Sequence, residues 1–185
     1  MHRTALRAAA ACFVGLVTVA TVGGQAQEAP KPGPEVQRLA SMVGTWQDET
    51  ELHQTPFSPA GKETGTSTCE WFTGNFQVVC RGESTGAAGK TAGMIVVGWH
   101  PGRKAYLAQV IESTGMISQL TGSVTENTWT FTSEGPTPDP KYGKVGRARM
   151  TIVDVSPTVQ TSKFEVSVDG GPWAVVMDGK STKVK

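Results

Sequence analysis

Two hydrophobic periods divide the chain. Between Glu35 and Met42, the apolar residues Val36, Leu39, Ala40 and Met42 fall near helical spacing, which predicts one or two turns of amphipathic helix. After Gly44 the period becomes two. Trp46, Asp48, Thr50 and Leu52 share one face of the first run, and Gln47, Glu49, Glu51 and His53 share the other. Further alternating runs are expected at 62–72, 75–84, 91–100, 104–113, 116–124, 128–134, 144–155, 160–169 and 173–178. Tyr106, Ala108 and Val110 oppose Leu107, Gln109 and Ile111. Trp129 and Phe131 oppose threonines, and Phe164, Val166 and Val168 oppose Lys163, Glu165 and Ser167.

The separators carry turn chemistry. Pro101-Gly102 predicts a type II turn with the positive φ at glycine, and Thr114-Gly115, Glu126-Asn127 and Gly170-Gly171 suit tight hairpins. Two connections are longer, 54–61 and 135–143. About ten antiparallel strands at this spacing predict an all-β fold, a closed up-and-down β-barrel with a short N-terminal helix. A two-sheet sandwich is the competing all-β arrangement. Gly44-Thr45-Trp46, where the period changes, suits the bottom of a barrel: a helical turn plugs the end, glycine admits close backbone, and tryptophan seals the core. The apolar face includes small or polar members, Asp48, Thr50, Ala108 and Ser118, which favours a hollow interior over a filled one.

Composition changes the picture at the N-terminus. His2, Arg3 and Arg7 precede an apolar run, Ala8 to Val22, that is short for a membrane span. Gly24-Gln25-Ala26 then fits a small-x-small cleavage site. We expect a cleavable signal peptide over 1–26, a flexible leader over 27–34, and one barrel domain over 35–185, periplasmic or secreted. An uncleaved anchor is the alternative. The full chain has 17 basic and 16 acidic side chains; Arg3 and Arg7 leave with the signal, so the remainder is nearly neutral, with no basic stripe for nucleic acid. No later stretch is apolar enough to span a bilayer as a helix. Cys69 and Cys80 lie symmetrically about a predicted hairpin tip at Gly74-Asn75, and opposed cysteines in an oxidising compartment predict a disulfide. Two free buried thiols are the alternative.

No catalytic constellation is read. His100 precedes a turn and His53 a loop, and neither has an acid at metal-ligand spacing, so no metal and no cofactor is expected. Gly89-Lys90-Thr91 lacks the first glycine and the following helix of a phosphate loop. Asp48, expected inward, needs Arg147, Arg149 or a ligand's polar end as a partner, unless a bulge turns it outward. The facing of Arg147 and Arg149 stays open. Outward they are a solvated surface, inward an anion site.

Leu39-x-x-Met-Val-Gly-Thr-Trp, with Gly98-Trp99-His100-Pro101, Tyr106, Gly122 and the Asp169-Gly170 hairpin, resembles the bacterial domain of unknown function 1579 family. The resemblance implies a calycin-like barrel, similar in shape to lipocalins and nitrobindins, with a cavity and no assigned activity. It also implies a basic residue packed over the tryptophan, for which Lys180 and Lys183 are the candidates. Nitrobindins follow their tryptophan with a glycine-rich run, whereas this chain continues Gln47-Asp48-Glu49, so haem binding is not carried over. The expected partner is a small apolar or amphipathic molecule, with Trp46, Asp48, Tyr106, Trp129 and Arg149 lining or gating its site. Binding to other envelope components through the two long loops is the second reading. A barrel enzyme would need a converging pair such as Asp48 with His53, which opposite alternation separates.

Overall fold

The computed structural model describes residues 30–185 except 56–58, 88, 134, 136–137, 140–142 and 145. The expected signal peptide and leader residues 27–29 lie outside the described residues. The following concerns the unit Pro32–Lys185.

A single helical turn, α1 (Pro34–Gln37), runs into a 3₁₀ turn over Arg38–Met42. Pro34 suits a first turn, because its missing N–H would have no helical partner there. So short a helix does not hold itself. It is held by burial of Val36, Leu39 and Met42, and by three side chains that take up its carbonyls and a neighbouring one. Tyr106 Oη donates to Glu35 O at 2.8 Å, Trp46 Nε1 donates to Met42 O at 2.9 Å, and Arg38 Nη2 donates to Glu126 O at 2.6 Å. The first two satisfy acceptors that a helix end would otherwise leave orphaned.

Ten long strands follow, broken by a small ribbon: β1 (Gly44–Leu52), β2 (Gly61–Trp71), β3 (Gln77–Gly86), β4 (Gly89–His100), β5 (Ala105–Glu112), β6 (Ile117–Thr125), β7 (Thr128–Ser133), β8 (Pro138–Asp139), β9 (Gly143–Lys144), β10 (Arg147–Ser156), β11 (Val159–Ser167) and β12 (Ala174–Lys183). The long strands close in the cyclic order β1-β12-β11-β10-β7-β6-β5-β4-β3-β2, an up-and-down meander with every pair antiparallel. Among the described residues β8 and β9 pair with each other alone; they fall in the connection expected as a loop over 135–143, except for Lys144, which was expected to open the next strand.

Closure runs from Trp46 opposite Lys183 to Leu52 opposite Met177. At its start the last residues fold over the entry to β1: Thr45 N donates to Lys185 O at 2.9 Å. Gly44 permits this. Its φ is +141°, and a Cβ there would lie 2.8 Å from Lys185 O, so any side chain meets both strain and backbone.

One turn departs from expectation. At 101–104 the positive φ belongs to Lys104 (49°), not to Gly102. Here His100 contributes instead, its Nδ1 accepting from Arg103 N at 3.2 Å. The cross-strand disulfide forms as expected, Cys69 standing directly opposite Cys80 in the β2–β3 ladder.

Candidate functional site: the barrel cavity

The plugged end is packed with aromatic rings. Tyr106 meets Trp99 and Trp129 edge-on, at centroid distances of 5.0 and 4.9 Å, and Trp129 stacks on Phe131 at 6.3 Å. Trp129 Nε1 donates to Asp154 Oδ2 at 3.1 Å, and Gln160 Nε2 donates to Asp154 Oδ1 at 2.7 Å, so this inward carboxylate is held on both oxygens. Burial raises the Tyr106 pKa above its ordinary value; the Arg38 charge opposes the rise and the Glu35 charge adds to it.

Beyond this packing lies a cavity of about 410 Å³, within the size range of small-molecule sites. Its lining runs from Met42 and Trp46 at the plugged end to Thr50, Glu63, Thr91 and Glu112 at the far end. The wall has two characters. On β2, β3 and β4 the lining nearer the plug is apolar, with Cys69, Cys80, Ile95 and Val97, and farther out it is small and polar, with Gly65, Ser67, Gly82, Ser84, Thr91 and Gly93; Gly82 stands opposite Gly93 and Gly65 opposite Ser84. Half a circuit away, β7 and β10 present Phe131, Met150 and Ile152. Away from the plug, one wall is thus small and polar and the other bulky and apolar.

Asp48 points inward as expected, but its partner is Ser67, whose Oγ donates at 2.9 Å. Neither arginine reaches it. Trp46 lines the cavity floor, and Lys183 Nζ lies over its ring at 4.6 Å, the basic cover that the resemblance implied.

Tyr106 and Trp129 are 2% and 1% exposed in the plug and do not line the cavity. They support its floor. Arg149 is displaced entirely from the expected site. It alternates with the inward Met150 and stands on the outer surface, where Nε and Nη2 donate to the two Glu165 oxygens at 2.8 and 3.0 Å and the guanidinium lies 4.4 Å from the Trp173 centroid. Hydrogen bonding from Arg149 is the main reason the Glu165 pKa is lowered, and the same bond raises that of Arg149. Arg147 also faces outward, exposed, opposite Ser167.

His53 is separated from Asp48, and its Nε2 lies 2.7 Å from Asp178 Oδ2. Asp178 was not foreseen because it comes 125 residues later. No group of metal-ligating side chains converges among the described residues. Glu63 and Glu112 were also missed as lining residues. The signal was present in period two: Glu63 shares a face with Gly65, Ser67 and Cys69, and Glu112 with Ala108 and Val110.

A closed antiparallel barrel with a helical plug, a tryptophan floor and an asymmetric cavity defines the calycin-like class. The chain belongs to the family described as protein of unknown function (DUF1579), whose model matches residues 31–183. Among solved structures it is similar in fold to Rv2717c from M. tuberculosis, at 14% identity and a TM-score of 0.63, over 84% of this chain and 100% of that one. It is also similar in fold to the S-type phycobiliprotein lyase CPES from Guillardia theta, at 10% identity and a TM-score of 0.52, over 80% and 92% of the two chains. A sequence comparison with curated proteins finds no match.

Proposed function

We propose that this protein is an exported barrel that binds or carries a small apolar or amphipathic molecule. The observation that carries the reading is the 410 Å³ cavity, whose apolar residues on β7 and β10 face, away from the plug, small and polar residues of β2–β4. Sequestration follows from that arrangement: the apolar body leaves water against Phe131, Met150 and Ile152, and polar groups near Asp48 orient the other end. The similarity to a phycobiliprotein lyase is in keeping with a ligand-binding barrel. Export is supported by the basic start, the apolar run and the Gly24-Gln25-Ala26 site, and the Cys69–Cys80 disulfide suits an oxidising compartment.

Native mass spectrometry of the protein purified gently from the periplasm, with solvent extraction, tests this. A reproducible bound mass, together with a mature N-terminus at Gln27, is the expected result. An apo mass from every preparation, with no uptake of added apolar compounds, contradicts it.

The second reading, binding to another envelope component, is favoured by one surface feature. Met116 and Ile117, at the β5–β6 turn, are 42% and 64% exposed. The loops first considered for this role, 54–61 and 135–143, fall partly outside the described residues.

A further inference from the structure

The charge of the cavity narrows the ligand class. Four carboxylates line it, Asp48, Glu63, Glu83 and Glu112, against one ammonium, Lys180. Glu83 and Lys180 are exposed and alternate with the inward Gly82, Ser84, Gly179 and Ser181, so they border the wall from its outer side. The inward set is Asp48, Glu63 and Glu112. None of the three has an ion-pair partner among the described residues; their hydrogen-bond donors are the neutral hydroxyls of Ser67, Ser84 and Thr114. Among the described residues Lys183 is the one inward ammonium at the plugged end, and it lies over the Trp46 ring. The arginines of β10 are outside.

From this we infer that the bound molecule is an organic cation: an apolar body bearing a protonated amine or a quaternary ammonium. The inference rests on the carriage reading above. A carboxylate or phosphate ligand would enter beside three like charges with no guanidinium to receive it, losing its hydration without compensation. A cation is favoured by the same charges, and more strongly where the cavity excludes water. Glycines border the place where the head would sit. Gly65, Gly82 and Gly93 remove side chains from the wall next to Asp48 and Glu63, since Asp48 stands opposite Gly65 and Glu63 lies two residues before it on β2. In this arrangement the ammonium head lies beside Asp48 and Glu63 and the body lies on Met150, Ile152 and Phe131. Asp48 is the inner contact. Glu63, opposite Thr50, is the outer one.

Three probes of equal chain length separate the ideas: dodecyltrimethylammonium and dodecanoate below their micellar concentrations and dodecanol below its solubility limit, each titrated calorimetrically with the disulfide-intact protein. The expected order places the cation about tenfold or more tighter than dodecanoate, with dodecanol between them and the preference shrinking as salt rises. Asp48→Asn/Glu63→Gln should weaken dodecyltrimethylammonium about tenfold and leave dodecanol within about twofold. An unchanged circular dichroism spectrum and melting temperature establish that the variant is folded; Asp48→Asn alone is the milder substitute if the pair unfolds. Equal binding of the three probes, tighter dodecanoate, or a variant indifferent to charge overturns the cation inference while leaving carriage intact. Failure of all three to bind overturns both.

Discussion

At the scale of single residues, the sites that matter most are those with one partner and no substitute. Tyr106 is buried and its hydroxyl donates to Glu35 O, so Tyr106→Phe should cost about 1 kcal/mol in chemical denaturation through the lost bond. Its folded pKa is raised, chiefly by burial, so its contribution is fully present below the ordinary value of 10.0 and is lost as pH rises through the higher folded value. The alkaline fall in stability should therefore be shallower in Tyr106→Phe than in the parent.

Glu165 has the opposite sign. With its pKa lowered, mainly by the hydrogen bonds from Arg149, its stabilisation is present above the ordinary 4.5 and is lost as pH falls through the folded value. Solvent on the outer face screens the pair, so Glu165→Gln should cost only about 1 kcal/mol at neutral pH and flatten the acid limb of a pH–stability curve.

Gly122 is constrained by packing rather than by φ. A Cβ there would stand 2.4 Å from Phe131 Cδ1, directly across the β6–β7 ladder, so Gly122→Ala should overpack the ring and cost about 1–3 kcal/mol, read as a lower denaturation midpoint.

At the scale of elements, the ten runs of period two each appear as a strand, shifted by a few residues at their ends. They were legible because an inward and an outward face differ in polarity at every second residue. What was not legible followed from pairing. Arg149 seemed a candidate because its strand has polar and apolar residues on both faces, and only its register, opposite Glu165, assigns it to the surface. His53 with Asp178 and Asp154 with Trp129 join residues far apart in sequence, and period alone says nothing of which strands lie side by side. The Pro101–Lys104 turn was misread for a local reason: several backbone paths satisfy Pro-Gly, and the His100 ring selects one with the positive φ at Lys104.

The β2–β3 hairpin is the element most open to test. Its disulfide bridges residues only 11 apart, with Cys69 buried in the hydrophobic core beside the plug and Cys80 packed against it. Cys69→Ala/Cys80→Ala should lower stability by about 2–4 kcal/mol in denaturant while keeping the barrel's circular dichroism spectrum. A loss below 0.5 kcal/mol, by the same loop-closure reasoning, would show that the ladder alone sets the hairpin.

At the scale of the whole molecule, the short plug, the aromatic floor and the strand register act together to leave a hollow. Without a plug the barrel's end would be open, and Leu39, fully buried, is its deepest apolar anchor. The hollow was foreshadowed by Asp48, Thr50 and Ala108 on an otherwise apolar face, but its asymmetry needed the cyclic strand order, which sets glycines and serines across from Phe131 and Met150. The far end of the cavity, with Glu63 and Glu112, is where polarity and access coincide.

The central claim is that this hollow is the binding site. It is tested most directly by calorimetric titration of dodecanol into the parent protein, Ile152→Trp and Thr151→Trp. Ile152 lines the cavity and Thr151 lies on the outer face of the same strand, so the two variants place one indole inside and one outside. The account predicts saturable one-to-one binding to the parent and to Thr151→Trp, and a loss of about tenfold or more in Ile152→Trp, where the indole occupies the apolar wall. Binding that survives unchanged in a folded Ile152→Trp, or that is absent from the parent, would contradict it.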